Sequence, residues 1–116
     1  MIRQGDVLFI PIKPEEFAGA IIDDDRRVRG NVIKSGIIQA GEVTGHHHRI
    51  ADLEAAEVFA VSTWNAETKY VSVTAEGGVS IQHEEHHTVQ LPKGNYRVHI
   101  AREFDYLSQH TRQVRD

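Results

Sequence analysis

Residues 69–82, "KYVSVTAEGGVSIQ", contain the pattern that decides the fold class: two strand-like runs on either side of the short segment "EGG". In both runs apolar and polar side chains alternate, as they do along a strand that buries one face. Glycine accepts the positive φ angles that tight turns require. We therefore predict a β-hairpin with strands at 69–75 and 79–83.

Similar runs recur along most of the chain. Residues 6–12, "DVLFIPI", read as the first strand, and "PEEFAGA" at 14–20 predicts one helical turn, because proline suits a first helical position. Further strands are predicted in "NVIKSGIIQ" (31–39), "HHHRIA" (46–51), "AEVFAVS" (56–62), and a last pair formed by "HTVQL" (87–91) and "YRVHIAREF" (96–104).

Short strands at close spacing, separated by Gly and Pro turns, favour a mostly β fold, either an antiparallel β-barrel or a β-sandwich. In the last run, period-2 alternation predicts a core face and an opposite face. The core face contains Tyr96, Val98, Ile100 and Phe104. We expect a single β domain over 1–104, followed by a C-terminal tail at 105–116.

Composition excludes several classes of function. The chain has no cysteine, so thiolate metal sites and thiol catalysis are excluded, and any metal must be bound by His, Asp, Glu or water. A formal net charge of −4 disfavours nucleic acid as a partner. The first residues fit neither a secretory leader nor a membrane span, which predicts a cytoplasmic protein without membrane contact.

Six of the eight histidines lie in two short segments, "HHH" at 46–48 and "HEEHH" at 83–87. In an extended strand His46 and His48 point to one face and His47 to the other, so the outer pair can converge on one ion. The second segment leaves two alternatives open. An extended chain would align His83, Glu85 and His87, whereas a bend would bring His83 and His86 together.

Four motifs carry a resemblance to known proteins: "MIRQGDVLFIPI", "GEVTGHHHRI", "HEEHHTVQLPKGNYRV" and "REFDY". Together they resemble a group of small bacterial and phage proteins of uncharacterised function, over most of the chain. The resemblance implies His46, His48, His83 and His86 as the site histidines. The glycine before His-x-His and the Pro-x-Gly turn are more loosely similar to cupins, the metal-binding β-barrels. Unlike cupins, this chain has its next glutamate only at Glu54, and its later histidines precede the Pro-x-Gly turn.

These residues predict a site for a divalent metal ion. Zinc is the first choice, with iron, nickel and copper as alternatives, since imidazole binds all four. The predicted metal ligands are His46, His48, His83 and His86. Glu85 is the candidate general base, and Glu84 is the alternative to it. If one coordination position is open, such an ion activates water for hydrolysis of a small-molecule substrate.

A second hypothesis is a phage or mobile-element interaction module without catalysis, whose histidines contribute to a partner surface or a pH response. Convergence of the two histidine segments would distinguish the hypotheses. Exposed strand edges further predict a homodimer.

Overall fold

The computed structural model describes residues 1–21, 30–40, 46–62 and 67–101. The strands are β1 (Ile2–Gln4), β2 (Val7–Ile12), β3 (Gly30–Val32), β4 (Ile37–Ala40), β5 (His47–Ile50), β6 (Ala56–Ser62), β7 (Glu67–Val73), β8 (Val79–Gln82), β9 (Val89–Leu91) and β10 (Gly94–Ile100). One helix, α1, spans Pro14–Ile21. The predicted tail at 105–116 lies outside the described residues.

Two antiparallel sheets form the domain, as the mostly β prediction requires. The first has the strand order β1-β2-β10-β7-β6-β3, and the second has the order β4-β5-β8-β9. Apolar residues from both sheets form one core cluster, which includes Phe9, Val71, Ile81 and Leu91. The arrangement is that of a sandwich, and the described residues form no closed barrel.

The hairpin predicted around "EGG" is wrong. Strands β7 and β8 lie in different sheets, and the segment between them carries the chain from one sheet to the other. Both edges of β7 are already paired, one with β6 and one with β10, so no edge is available to β8. Gly78 adopts φ +79° where the chain turns toward the second sheet. The glycine turn was identified correctly, but its strands pair elsewhere.

Four other predicted strands also differ in detail. The last predicted pair is split between the sheets, with β9 in the second and β10 in the first. The predicted strand 31–39 breaks into β3 and β4, again in different sheets. In addition, β2 is not the first strand, because β1 precedes it and pairs with it antiparallel.

The helix and the last strand agree with their patterns. Pro14 begins α1, which extends to two turns, and Phe17 packs edge-on against Phe59 and Tyr70, with ring centroids 5.5 and 6.3 Å apart. On β10, Tyr96 and Val98 are buried as predicted, and Ile100 is half-buried against the core. Phe104, the fourth residue of the predicted core face, lies outside the described residues. Within the described segments no helix has the length and apolar character needed to cross a membrane.

Candidate functional site

Four histidine side chains come together where the start of β5 meets the loop between β8 and β9. We call His46, His48, His83 and His86 the histidine cluster. Its ring centroids are 4.3 Å apart for His48–His83, 4.6 Å for His83–His86, 5.9 Å for His48–His86 and 5.9 Å for His46–His83. The two segments that the sequence singled out therefore converge on one place.

The three consecutive histidines have different surroundings. His48 is 2% exposed and lies against His83 and His86. His46 lies just before β5, with its ring near His83. The His47 side chain takes no part in these ring contacts, and its Nδ1 atom is buried without a hydrogen-bond partner among the described residues. The placement follows the alternation expected of an extended strand.

A buried glutamine fixes the orientation of His48. Gln4, on β1, is 2% exposed. Its amide nitrogen donates to the carbonyl oxygens of Ile81 and His87, both at 2.8 Å. Its amide oxygen lies 2.8 Å from His48 Nδ1. Because carbonyl oxygens can only accept, the amide cannot be flipped, and His48 Nδ1 must donate to Gln4.

The other ring nitrogen of His48 faces a carboxylate. His48 Nε2 lies 3.4 Å from Oδ1 of Asp6, in the turn between β1 and β2. Burial lowers the pKa of His48 below its ordinary 6.5, and the nearby His83 lowers it further, while Asp6 acts in the opposite direction. Burial therefore favours a neutral His48 ring, with its proton on Nδ1 and its lone pair on Nε2.

The loop 83–86 bends, which decides between the two alternatives for the second segment. Backbone N–H groups of Glu85 and His86 donate to His83 Nδ1, at 3.0 and 3.2 Å. The bend brings His86, and not His87, beside His83. Since a neutral imidazole has a single lone pair, these bonds place the ring proton of neutral His83 on Nε2.

The two glutamates of this loop have different environments. Glu84 accepts hydrogen bonds from the His47 backbone N–H at 2.8 Å and from Arg49 Nη1 at 2.6 Å. The His47 bond first, and Arg49 second, lower the pKa of Glu84 to about 2. Glu84 thus ties the loop to β5. Glu85 Oε1 lies 3.5 Å from His46 Nδ1, and its side chain is 62% exposed, so it is the carboxylate accessible to a ligand.

The rings of the histidine cluster lie close together, but they do not yet have the arrangement that coordinates a metal ion. Across residues 1–21, 30–40, 46–62 and 67–101, no three His, Asp or Glu side chains are arranged to hold a metal ion as they stand. His48 fits the role of a ligand, because its Nε2 lone pair is free of the Gln4 bond. His83 fits it less well, since its lone pair already accepts two backbone bonds.

Gln4 and Asp6 were not identified as site residues from the sequence. Asp6 was included in the predicted strand 6–12, whereas the structure places it after Gly5 in the turn between β1 and β2. The available signal was a polar residue, Gln4, two positions after Ile2 on the inward face of a short strand. That signal was missed because β1 itself was not predicted.

Residues 3–101 match the family described as Domain of unknown function (DUF8820). The chain belongs to this family. The match agrees with the resemblance to small proteins of uncharacterised function, and it gives no support to the likeness to cupins. No curated protein and no solved structure shows significant similarity to the chain.

Gly5 supports the cluster through its backbone conformation, and its substitution gives a testable prediction. Gly5 adopts φ +60°, and a Cβ atom there would lie 2.5 Å from His86 Nε2. We expect Gly5→Ala to destabilise the fold by about 1–2 kcal/mol, because left-handed backbone is costly for alanine, and to displace the His86 ring. Urea denaturation measures the first effect.

Gly19→Ala is the matched control. Gly19 lies in α1, and a Cβ there would meet nothing within 4 Å. Alanine favours helices over glycine by about 0.5–1 kcal/mol, so this variant should be as stable as wild type or more so. Equal stability of Gly5→Ala and Gly19→Ala would contradict the described turn.

The lowered pKa of His48 predicts acid sensitivity of the metal-free fold. The unfolded chain takes up a proton at this ring near pH 6.5, whereas the folded protein does so only at lower pH. Stability is therefore retained above pH 6.5 and falls as the pH drops from 6.5 toward the folded pKa. Urea denaturation in EDTA at pH 7.5 and 5.5 should show a smaller loss in His48→Asn than in wild type. An equal loss would contradict a neutral, buried His48.

Proposed function

We propose that this domain binds one divalent metal ion at the histidine cluster, with zinc as the first choice and iron, nickel and copper as alternatives. The observation that supports this most is the convergence of four imidazoles from two separate segments of the chain, with ring centroids 4.3–5.9 Å apart. Imidazole is a ligand for all four metals. A cation that binds the Nε2 lone pair of His48 also offsets the cost of burying that ring away from water.

Binding requires a local adjustment of the cluster. His48 is the natural anchor, since it is buried and its ring is held in place by Gln4. His46 and His86 are more accessible and can turn toward the same point. His83 can bind through Nε2 only if the backbone bonds at its Nδ1 are given up, so it would join last.

The proposed activity is hydrolysis of a small-molecule substrate. A divalent ion with an open coordination position supplies a bound water whose pKa falls toward about 7. In this chain Glu85 is placed to accept a proton, because its exposed carboxylate lies 3.5 Å from His46 Nδ1. Glu84 is unsuited to that role, because Arg49 and the His47 backbone already use its oxygens.

The second candidate function is an interaction module of phage or mobile-element origin, without catalysis. The exposure of Glu85, His86 and His87 on one loop favours it, because such a loop is available to a macromolecular partner. The two candidates differ in whether a metal is bound.

Elemental analysis of untagged protein, purified without added metal, is the test of the proposed function. We expect about one equivalent of a divalent transition metal, which EDTA removes and calorimetric titration with zinc restores. No bound metal, and no heat on addition of zinc, nickel, iron or copper, would reject the metal site in favour of the interaction module.

A homodimer remains a prediction, as does a cytoplasmic location. Strand β3 forms one edge of the first sheet, and its Val32 is 45% exposed. Among the described residues β3 pairs only with β6, and an edge of this kind is a template for pairing with another copy. Light scattering over a range of concentrations should give twice the mass of one chain, and a monomer mass throughout would contradict it.

A further inference from the structure

We infer that Asp6 Oδ1 and His48 Nε2 are adjoining ligands of the same divalent cation, and that Gln4 is the positioning residue that keeps His48 Nε2 available to it. This inference rests on the proposed metal site and adds two residues to it. Gln4 and Asp6 are not part of the histidine cluster as defined above.

The first step is the fixed orientation of Gln4. Both of its amide N–H groups donate to main-chain oxygens, of Ile81 on β8 and of His87 in the following loop. Its oxygen, the remaining polar atom of the amide, lies 2.8 Å from His48 Nδ1. Three parts of the chain thus determine one tautomer of His48. A partner that fixes the tautomer of a metal-binding histidine in this way is typical of metal sites in proteins.

The second step concerns the gap between His48 and Asp6. In that tautomer Nε2 bears a lone pair, and a carboxylate oxygen can also only accept, yet the two atoms are 3.4 Å apart. Two acceptors at this distance repel each other unless a cation lies between them, either a proton on Nε2 or a metal ion, and the spectra described below distinguish the two. Two ligands bound at about 2.0–2.1 Å in a tetrahedral site lie about 3.3–3.4 Å apart, which matches this separation.

The third step is that Asp6 is held in place and remains accessible. The Ala101 backbone N–H donates to the Asp6 carbonyl oxygen at 2.8 Å, and Arg3 Nε donates to the Gly5 carbonyl oxygen at 2.7 Å. These bonds hold the main chain of the turn, while the Asp6 side chain is 56% exposed. An ion can therefore reach the buried His48 from solvent on the Asp6 side. The carboxylate also supplies the negative charge that the imidazoles lack.

Nuclear magnetic resonance tests the tautomer without any metal. Long-range proton–nitrogen spectra of EDTA-treated wild type at pH 7.5 should show His48 protonated on Nδ1 and unprotonated on Nε2. Gln4→Met should lose this preference, whereas Gln82→Met, a control on the exposed face of β8, should keep it. A wild-type ring protonated on Nε2, or on both nitrogens, would overturn the inference, because Asp6 would then be an ordinary hydrogen-bond acceptor.

Zinc titration tests the ligand pair. Asp6→Asn should bind zinc at least about tenfold more weakly than wild type, and Gln4→Met about 10–100-fold more weakly. Asp52→Asn removes the same charge from a different loop and should bind as wild type does. Wild-type affinity in Asp6→Asn would overturn this inference and leave the proposed metal site standing. A wild type that binds no metal would overturn both.

Discussion

Zinc affinity should fall by at least about 100-fold in His48→Ala and stay within about threefold of wild type in His47→Ala. The two residues are neighbours in β5, but only His48 is buried against His83 and His86. Alanine at position 48 removes the one ring whose tautomer is fixed for binding. His46→Ala, His83→Ala and His86→Ala should each weaken binding less than His48→Ala does. Calorimetric titration at pH 7.5 gives the comparison.

His99→Ala is a further control, because His99 lies on β10, opposite Leu8 of β2, and outside both histidine segments. It should bind zinc as wild type does. If His47→Ala abolished zinc binding and His48→Ala retained it, the metal would bind on the face of β5 that contains His47, and the assignment of His48 as a ligand would be wrong. If all histidine variants bound alike, zinc would be bound outside the histidine cluster.

The affinity for zinc should also fall below about pH 6, because imidazole must be neutral to bind a metal ion.

Phe9→Ala should lower the free energy of unfolding by about 3–5 kcal/mol. Phe9 is completely buried in β2, between Ile2 of β1 and Val98 of β10. Deletion of its ring removes apolar contacts from the core shared by both sheets and leaves a cavity. A domain of this size is stable by about 5–15 kcal/mol, so the variant should be close to unfolding in mild urea.

Leu53→Ala is the control for this effect, since Leu53 is 53% exposed. It should change stability by about 0.5 kcal/mol or less. A loss below about 1 kcal/mol in Phe9→Ala, measured by urea denaturation, would mean that the ring is not in the core and that the packing of the two sheets is wrong.

Local patterns were sufficient to predict the β class and the inward residues Tyr96 and Val98 of β10, and they gave the bend at 83–86 as one of two alternatives. Each of these depends on neighbours only a few residues apart. Strand pairing was predicted less well, because an alternating run reads the same whether its partner is the next strand or a distant one. The segment 76–78 contains turn residues that suit a hairpin, but β7 has no free edge for β8. The pairing of both edges of β7 depends on strands that are distant in sequence, so a local pattern does not reveal it.

The convergence of the two histidine segments was anticipated, whereas the roles of Gln4 and Asp6 were not. Gln4 acquires its role from the carbonyl oxygens of Ile81 and His87, which are far away in sequence. Asp6 lies beside His48 because β1 and β2 form a hairpin whose first strand is only three residues long. The sequence prediction put Glu85 before Glu84 as the candidate general base, and the bonds that Glu84 accepts from Arg49 and the His47 backbone supply a physical difference between them.

Anomalous diffraction from a zinc-soaked crystal is the most direct measurement of metal binding at the histidine cluster. The predicted result is one strong peak about 2.0–2.2 Å from His48 Nε2 and Asp6 Oδ1, with His46 or His86 completing the coordination. Two results would contradict the proposed site. One is ordered electron density for the histidine cluster with no zinc peak within it, and the other is a zinc peak only at histidines outside the cluster.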